Sequence, residues 1–247
     1  MSKQSLPPVA VPPVMILAAG LGTRMRPITD HLPKPLVKVG GETMLDRVLD
    51  TFADEGATKV VINTHYLPHI IEAHCAERTG LPTIAFSPEV EERLETGGGI
   101  KKALPLLGET VLTTNADSFW VGAEGAVTGL IKAFDPERMD MLLLLVRDTK
   151  SVGFDQHPGD FARDDNGRLS RRGDAPWVPW HYTGTAIMRA SLFEDTPEGA
   201  FSLNVLFDRA IANGRLYGHE LDGLWFTVGT PEAITEAEEV LANSGHL

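Results

Sequence analysis

Three cationic side chains stand among glycines and prolines near the start of the chain. Leu17-Ala18-Ala19-Gly20-Leu21-Gly22-Thr23-Arg24-Met25-Arg26-Pro27 is followed by Pro33-Lys34-Pro35-Leu36. Small residues at 18–20 and Gly22 let backbone N–H groups approach an anion closely. Arg24 adds a guanidinium that grips phosphate oxygens in pairs, and Lys34 a point charge. The pattern is not a dinucleotide fingerprint, because Met25 occupies the third glycine position, and no Gly-Lys-Ser/Thr closes it as a Walker A loop. Concentrating Arg24, Arg26 and Lys34 around glycines implies a polyphosphate ligand. Two further stretches carry chemistry. Thr113-Thr114-Asn115-Ala116-Asp117 ends an apolar segment with a carboxylate, placed either to hold Mg²⁺ against phosphate oxygens or to cap a helix. Thr96-Gly97-Gly98-Gly99 is either a plain turn or bare backbone against which a flat nucleobase can lie.

These groups need a frame, and the hydrophobic periodicity supplies one. A buried strand over 14–18 feeds the Gly-rich loop. Met44, Leu45, Val48, Leu49 and Phe52 recur at helical spacing and predict a helix over 42–55. The pattern then alternates: strand 59–63, helix 70–79, strand 82–86, helix 99–107, strand 111–114, helix 125–134. The run 141–146 is apolar on both faces and predicts a central parallel strand. After 147 a hairpin is expected around Asn166-Gly167, then a strand over 182–188, a helix over 205–212 and a strand over 225–228. Pro231 begins a last helix over 231–242, with Thr230 as N-cap. The frame is an α/β, doubly wound, mostly parallel Rossmann-like sheet with an elaborated second half. One domain is expected over 14–247, divided into a nucleotide-type first half, 14–147, and an elaborated second half, 148–247, behind a disordered Pro-rich leader over 1–13. No internal repeat is visible.

Composition narrows the classes. The chain has 247 residues, with 22 Lys+Arg against 34 Asp+Glu and a net charge of −12. Such a surface repels a phosphate backbone, so no nucleic-acid partner is expected, and a phosphorylated ligand needs a local cationic pocket. The single Cys75 forms no internal disulfide and is expected to be inert packing. No apolar run approaches the roughly 20 residues of a membrane helix, and a cytoplasmic protein without a membrane partner is expected.

The loop with its bracketed lysine resembles the sugar-1-phosphate nucleotidyltransferase family, whose signature is Gly-x-Gly-Thr-Arg followed by a lysine flanked by prolines. Related features run from Met15 to Glu239. The resemblance implies a GT-A-like nucleotidyltransferase fold, Mg²⁺ as cofactor, and a nucleoside triphosphate and a sugar 1-phosphate as substrates. It assigns nucleotide binding to Ala19, Gly20, Gly22, Thr23, Arg24, Lys34, Thr96, Gly97 and Gly98. Catalysis falls on Arg24, Lys34 and Asp117, and the metal on Asp117, although Ala116 replaces the usual preceding glycine. Asn115, Gly159 and Gly184 are implied at the sugar. Val228-Gly229-Thr230-Pro231-Glu232 matches the C-terminal motif, but Thr227 stands where many relatives carry a second metal-binding Asp. Ser87-Pro88-Glu89, Leu94 to Ile100, His157 to Ala162 and Leu224-Trp225 are most like members that use UTP and N-acetylmuramate 1-phosphate in peptidoglycan recycling. That acidic sugar would need a cation, with Arg171 and Arg172 as candidates. Mannose-1-phosphate guanylyl transfer, another hexose 1-phosphate, and a non-catalytic nucleotide sensor remain as alternatives.

The other notable residues have plainer expected roles. The acidic run 89–95 is expected to be a solvated face. His65, His69 and His74 are expected in solvated or capping positions. Trp177, Trp180 and Trp225 are expected as core or pocket-wall aromatics.

Overall fold

The computed structural model describes residues 9–154 and 157–246. Residues 1–8 of the expected leader lie outside this range. Within the remainder, Val11 is half-buried and packs on the core, so the segment before the first strand does take part in packing.

The elements follow in order β1 (Val14–Leu17), β2 (Lys38–Val39), β3 (Glu42–Thr43), α1 (Met44–Asp54), β4 (Lys59–Thr64), α2 (Pro68–Ala76), β5 (Thr83–Pro88), α3 (Glu95–Leu107), β6 (Thr110–Asn115), β7 (Ser118–Val121), α4 (Ala126–Ala133) and β8 (Met141–Arg147). The second half adds β9 (Ser151–Val152), β10 (Phe161–Arg163), β11 (Leu169–Arg171), β12 (Trp180–Arg189), α5 (Asn204–Ala212), β13 (Leu216–Glu220), β14 (Leu224–Thr227) and α6 (Pro231–Ser244). The main sheet runs β5-β4-β1-β6-β12-β8-β13, with the β10–β11 hairpin attached at the start of β12. Every pairing along this path is parallel except those of β12, which is antiparallel to β6 on one side and β8 on the other.

The expected central parallel strand is therefore corrected in one respect. β8 pairs in parallel with β13 only, and its other neighbour runs the opposite way. Its sequence is apolar throughout because both faces are covered, whatever the direction of its neighbours. Leu142, Leu144 and Val146 join the core under α1, α2 and α4, while Met141, Leu143 and Leu145 join the core under α3 and α5. The helices are thus divided between the two faces of the sheet. A third apolar cluster holds α6 against the small sheet β7-β14-β9, where Phe119 and Phe226 stack at 4.9 Å.

Local signals explain the helix starts. Thr43 Oγ1 accepts from Asp46 N and donates to Asp46 Oδ2, a reciprocal cap at the head of α1. Thr230 caps α6, with Pro231 at its first position. The hairpin closes at Gly167, as Asn-Gly implies.

Candidate active site

The C-terminal edge of the parallel strands sets the site's floor. Leu17 is in register with Asn63 of β4 on one side and Asn115 of β6 on the other. Asn63 Oδ1 accepts from Ala18 N at 2.7 Å, so the chain leaves β1 already fixed in direction. The loop then turns at Gly22, whose φ of +64° and whose contact with Thr29 and Lys34 leave no room for a side chain. Met25, where a dinucleotide loop would have its third glycine, is fully buried in the third core cluster and anchors the loop to the small sheet.

Two adjoining clefts lie over this edge. The larger, of about 350 Å³, is lined by Ala19, Gly20, Lys34, Asn63, Arg93, Thr96, Asn115 and Asp117 among others. The smaller, of about 280 Å³, is lined by Gly20, Gly22, Thr23, Arg24, Lys34, Arg93, Asp117 and Gly229. Ala19, Gly20, Gly22, Thr23, Arg24, Lys34, Thr96, Asn115 and Asp117 are thereby brought together as the sequence predicts. Lys34 sits between Pro33 and Pro35 in a short 3₁₀ turn, almost entirely buried, with Nζ 2.5 Å from Asp117 Oδ2. The C-terminal motif closes in from the other half. Val228 N donates to the Asp117 carbonyl, and a Cβ on Gly229 would stand 3.4 Å from the Arg24 guanidinium. Thr227 is the register partner of Ser118, the residue after Asp117.

The Gly triplet has a different place from the one expected. α3 begins at Glu95, so Gly97, Gly98 and Gly99 lie in its first turn rather than before it. They are buried behind the cleft wall. The N–H groups of Gly97 and Gly98 both donate to the Phe201 carbonyl. A side chain at Gly97 would overlap the Phe201 ring, one at Gly98 the Gly199 carbonyl, and one at Gly99 Glu89 and Asn63. The triplet admits protein backbone, and Thr96 is the residue of this motif that faces the cleft. Gly184 lies directly against the Asn115 side chain. Gly159 instead packs against Val178, and among the described residues lining the two clefts it does not appear.

Other expectations are corrected by burial. Glu89 is 2% exposed, not solvated. Its carboxylate accepts from Asn63 Nδ2 and Leu94 N, both at 2.7 Å, and so ties the end of β4 to the segment entering α3. The rest of the acidic run is at the surface. Trp180 and Trp225 are core residues, but Trp177 is 53% exposed. Arg26 pairs with Asp30 at the surface, Arg171 with Asp208, and Arg172 donates to the Ala175 carbonyl. None of these three lines the clefts among the described residues. Asp222 pairs with Lys150. His65 meets the Glu89 carbonyl and His74 the Asp46 carboxylate, tertiary contacts rather than caps, and His69 is exposed. Burial pushes the Cys75 thiol up to about 11, which keeps it unreactive.

Arg93 is the cleft residue that the sequence concealed. It lines both clefts, yet in sequence it is one cation inside an acidic run. Of the fourteen arginines, Arg24 and Arg93 are the two with no hydrogen-bonded, ionic or ring partner among the described residues. Both unengaged guanidiniums belong to one site, in a protein whose net charge is −12. That is the electrostatic arrangement for a strongly anionic ligand.

A Gly-rich anion loop, free arginines and a strand-end carboxylate at the carboxyl edge of a doubly wound sheet define a nucleotide-handling α/β protein of the phosphoryl-chemistry class. The nucleotidyl transferase family signature matches residues 13–151. The chain is 43% identical, over 93% of its length and 97% of the other's, to N-acetylmuramate alpha-1-phosphate uridylyltransferase of Caulobacter vibrioides. It is 33% identical to the protein of that name from Neisseria meningitidis serogroup B, over 91% of this chain and 96% of the other. The crystal structure of HddC from Yersinia pseudotuberculosis complexed with GMP-PN superposes with a TM-score of 0.77 at 23% identity, covering 94% of this chain and all of that one, which shows the shared nucleotidyltransferase fold. The chain belongs to the sugar-1-phosphate nucleotidyltransferase family.

Proposed function

We propose that the protein transfers the uridylyl group of UTP to N-acetylmuramate 1-phosphate, giving UDP-N-acetylmuramate and pyrophosphate, and serves peptidoglycan recycling. The observation that carries this reading is the near-full-length likeness to the Caulobacter uridylyltransferase, supported by the likeness to the Neisseria one. An oxygen of the sugar 1-phosphate attacks the α-phosphorus in line. The new P–O bond forms as the bond to the β-phosphate oxygen breaks, and that electron pair leaves with pyrophosphate. The nucleophile is an anion at neutral pH, so no side chain has to take a proton. Catalysis then rests on positioning and on neutralising charge.

The backbone at 19–22 and Arg24 hold the triphosphate, with Arg93 as a third cation at its edge. Lys34 neutralises the transferring phosphate. Asn115 and Gly184 face the sugar, and Gly159 belongs to the same half. Asp117 Oδ2 is taken by Lys34, while Oδ1 has no partner among the described residues and the side chain is about one-third exposed. That donor set fits a Mg²⁺ ion held by one carboxylate, phosphates and water. When bound, such an ion neutralises charge on the phosphate oxygens. Thr227 supplies no second carboxylate.

The test is pyrophosphate release from the purified protein with Mg²⁺. UTP, GTP, CTP, ATP and dTTP are each paired with N-acetylmuramate, N-acetylglucosamine, mannose and glucose 1-phosphates. Release confined to UTP with N-acetylmuramate 1-phosphate is expected. Release with GTP and mannose 1-phosphate would replace the substrates and keep the chemistry. Silence across the grid with nucleotide still bound would favour a sensor, for which Thr227 is the supporting feature.

A further inference from the structure

We infer that His157, Asp160 and His181 form a site for a divalent first-row transition ion, Zn²⁺ being the ion the donors suit best. The site is built from residues apart from the Asp117 carboxylate. One donor atom from each of the three side chains lies within 4.8 Å of the other two. The sequence His157-Pro158-Gly159-Asp160 brings two donors round one tight bend, with His157 Nε2 4.0 Å from Asp160 Oδ1. β12 brings the third.

The state of His181 is the independent observation. Its side chain is 0% exposed, and Nε2 lies 3.0 Å from Asp148 Oδ1. A carboxylate oxygen accepts, so Nε2 carries the proton, and in the neutral ring Nδ1 keeps a bare lone pair. That Nδ1 is buried and has no hydrogen-bond partner among the described residues, and the same holds for His157 Nδ1. An unpartnered nitrogen on a fully buried imidazole is an arrangement that a protein interior does not hold cheaply. A metal ion satisfies such a lone pair. The surroundings are those of a ligated histidine. Asp148 orients His181 from behind, as an outer carboxylate does. Asp160 is oriented in its turn, because its Oδ2 accepts from Tyr182 N at 2.8 Å and leaves Oδ1 for the cluster. Phe154 packs on both imidazoles, with ring centroids 4.5 Å from His157 and 5.1 Å from His181.

Two imidazoles and one carboxylate select zinc and its neighbours over Mg²⁺ or Ca²⁺, which take oxygen donors. Two donors about 2 Å from zinc at a tetrahedral angle stand about 3.4 Å apart, so the cluster needs only a small closure. The ion would pin the 157–160 bend, including Gly159, onto β12.

The experiment uses the full chain stripped with chelator, incubated with ZnCl₂, desalted and analysed for metal by mass spectrometry. One equivalent of zinc retained per chain is expected. His157→Ala and Asp160→Asn are expected to weaken zinc binding at least tenfold, and Asp148→Asn about 10- to 100-fold through the orienting hydrogen bond. Asp117→Asn is expected to retain the full equivalent, which separates this site from the nucleotide edge. His157 is 39% exposed at its side chain, so its variant folds even if a change at buried His181 does not. Far-UV circular dichroism confirms folding. Retention of less than a tenth of an equivalent by the wild type, or undiminished binding in both His157→Ala and Asp160→Asn, would overturn the assignment.

Discussion

Gly20 and Gly98 lack side chains for opposite reasons. A Cβ on Gly20 would meet nothing within 4 Å, because it would point into the cleft, whereas one on Gly98 would overlap the Gly199 backbone. Gly20→Ala is therefore expected to leave the melting temperature unchanged and to weaken triphosphate binding about tenfold, as loss of one charge-assisted hydrogen bond would. Gly98→Ala is expected to cost about 1–3 kcal/mol of stability by overpacking. Thermal melts and titration calorimetry on the two variants separate the effects. For Arg93→Ala, the triphosphate KM should rise about tenfold or more with kcat nearly kept, since a lost uniform contact acts on binding. Asp117→Asn should instead lower kcat about 100-fold or more while nucleotide still binds. Equal turnover in wild type and Asp117→Asn would remove that carboxylate from catalysis. Residue type made Arg24 and Lys34 legible in the sequence, because cations among glycines in an acidic chain have few other uses, whereas the role of Asp117 came from the family resemblance. Asn63, Glu89 and Arg93 were not legible. Their roles depend on which strand ends adjoin and on which charge of a mixed run turns inward.

Periodicity revealed most of the elements and misplaced those whose pattern is broken by packing. α3 starts four residues earlier than its apolar positions imply, since glycines in a first turn look like a loop. β13 was hidden by Gly218, where a side chain would overlap Leu145. β7 follows directly on the polar edge at Asp117 and is too short to show alternation. The α1–α2 pair shows how one residue couples two elements. Asp46 caps α1 with Thr43 and reaches His74 and Arg78 on the α2 side. Burial raises its carboxyl, but the bonds from Thr43, His74 and Arg78 outweigh this and hold it below its ordinary 3.8. A depressed native value means stability that is present above the unfolded pKa and lost as pH falls through the folded one. Urea unfolding of the wild type should therefore weaken below about pH 4, and Asp46→Asn should flatten that acid limb. Thr43→Ala should cost about 1 kcal/mol at neutral pH.

At the scale of the whole molecule, β12 joins the two halves that the sequence separates at 147. It bonds to β6 of the first half and, at its start, to β10 along one edge, and to β8 along the other. The direction of such a strand leaves no mark in its composition, because an apolar strand covered on both faces reads the same either way. Unfolding is expected to be a single transition, with tryptophan fluorescence and far-UV circular dichroism coinciding in urea. Trp120 and Trp225 stand opposite each other on β7 and β14, one from each half, and Trp180 lies on β12, so the indoles report on the junction. Separate midpoints would mean that the halves are independent after all.

The reversed strand also governs the order in which the protein can be made. When residue 147 leaves the ribosome, β6 has a parallel neighbour on one side only, and β8 has no partner strand until the chain has grown by at least another 33 residues, to Trp180. Until then two long apolar edges are open to pairing with other nascent chains. A gene fragment cut at residue 150 should accumulate in inclusion bodies, and one extended past β13 should be the shortest to yield soluble protein.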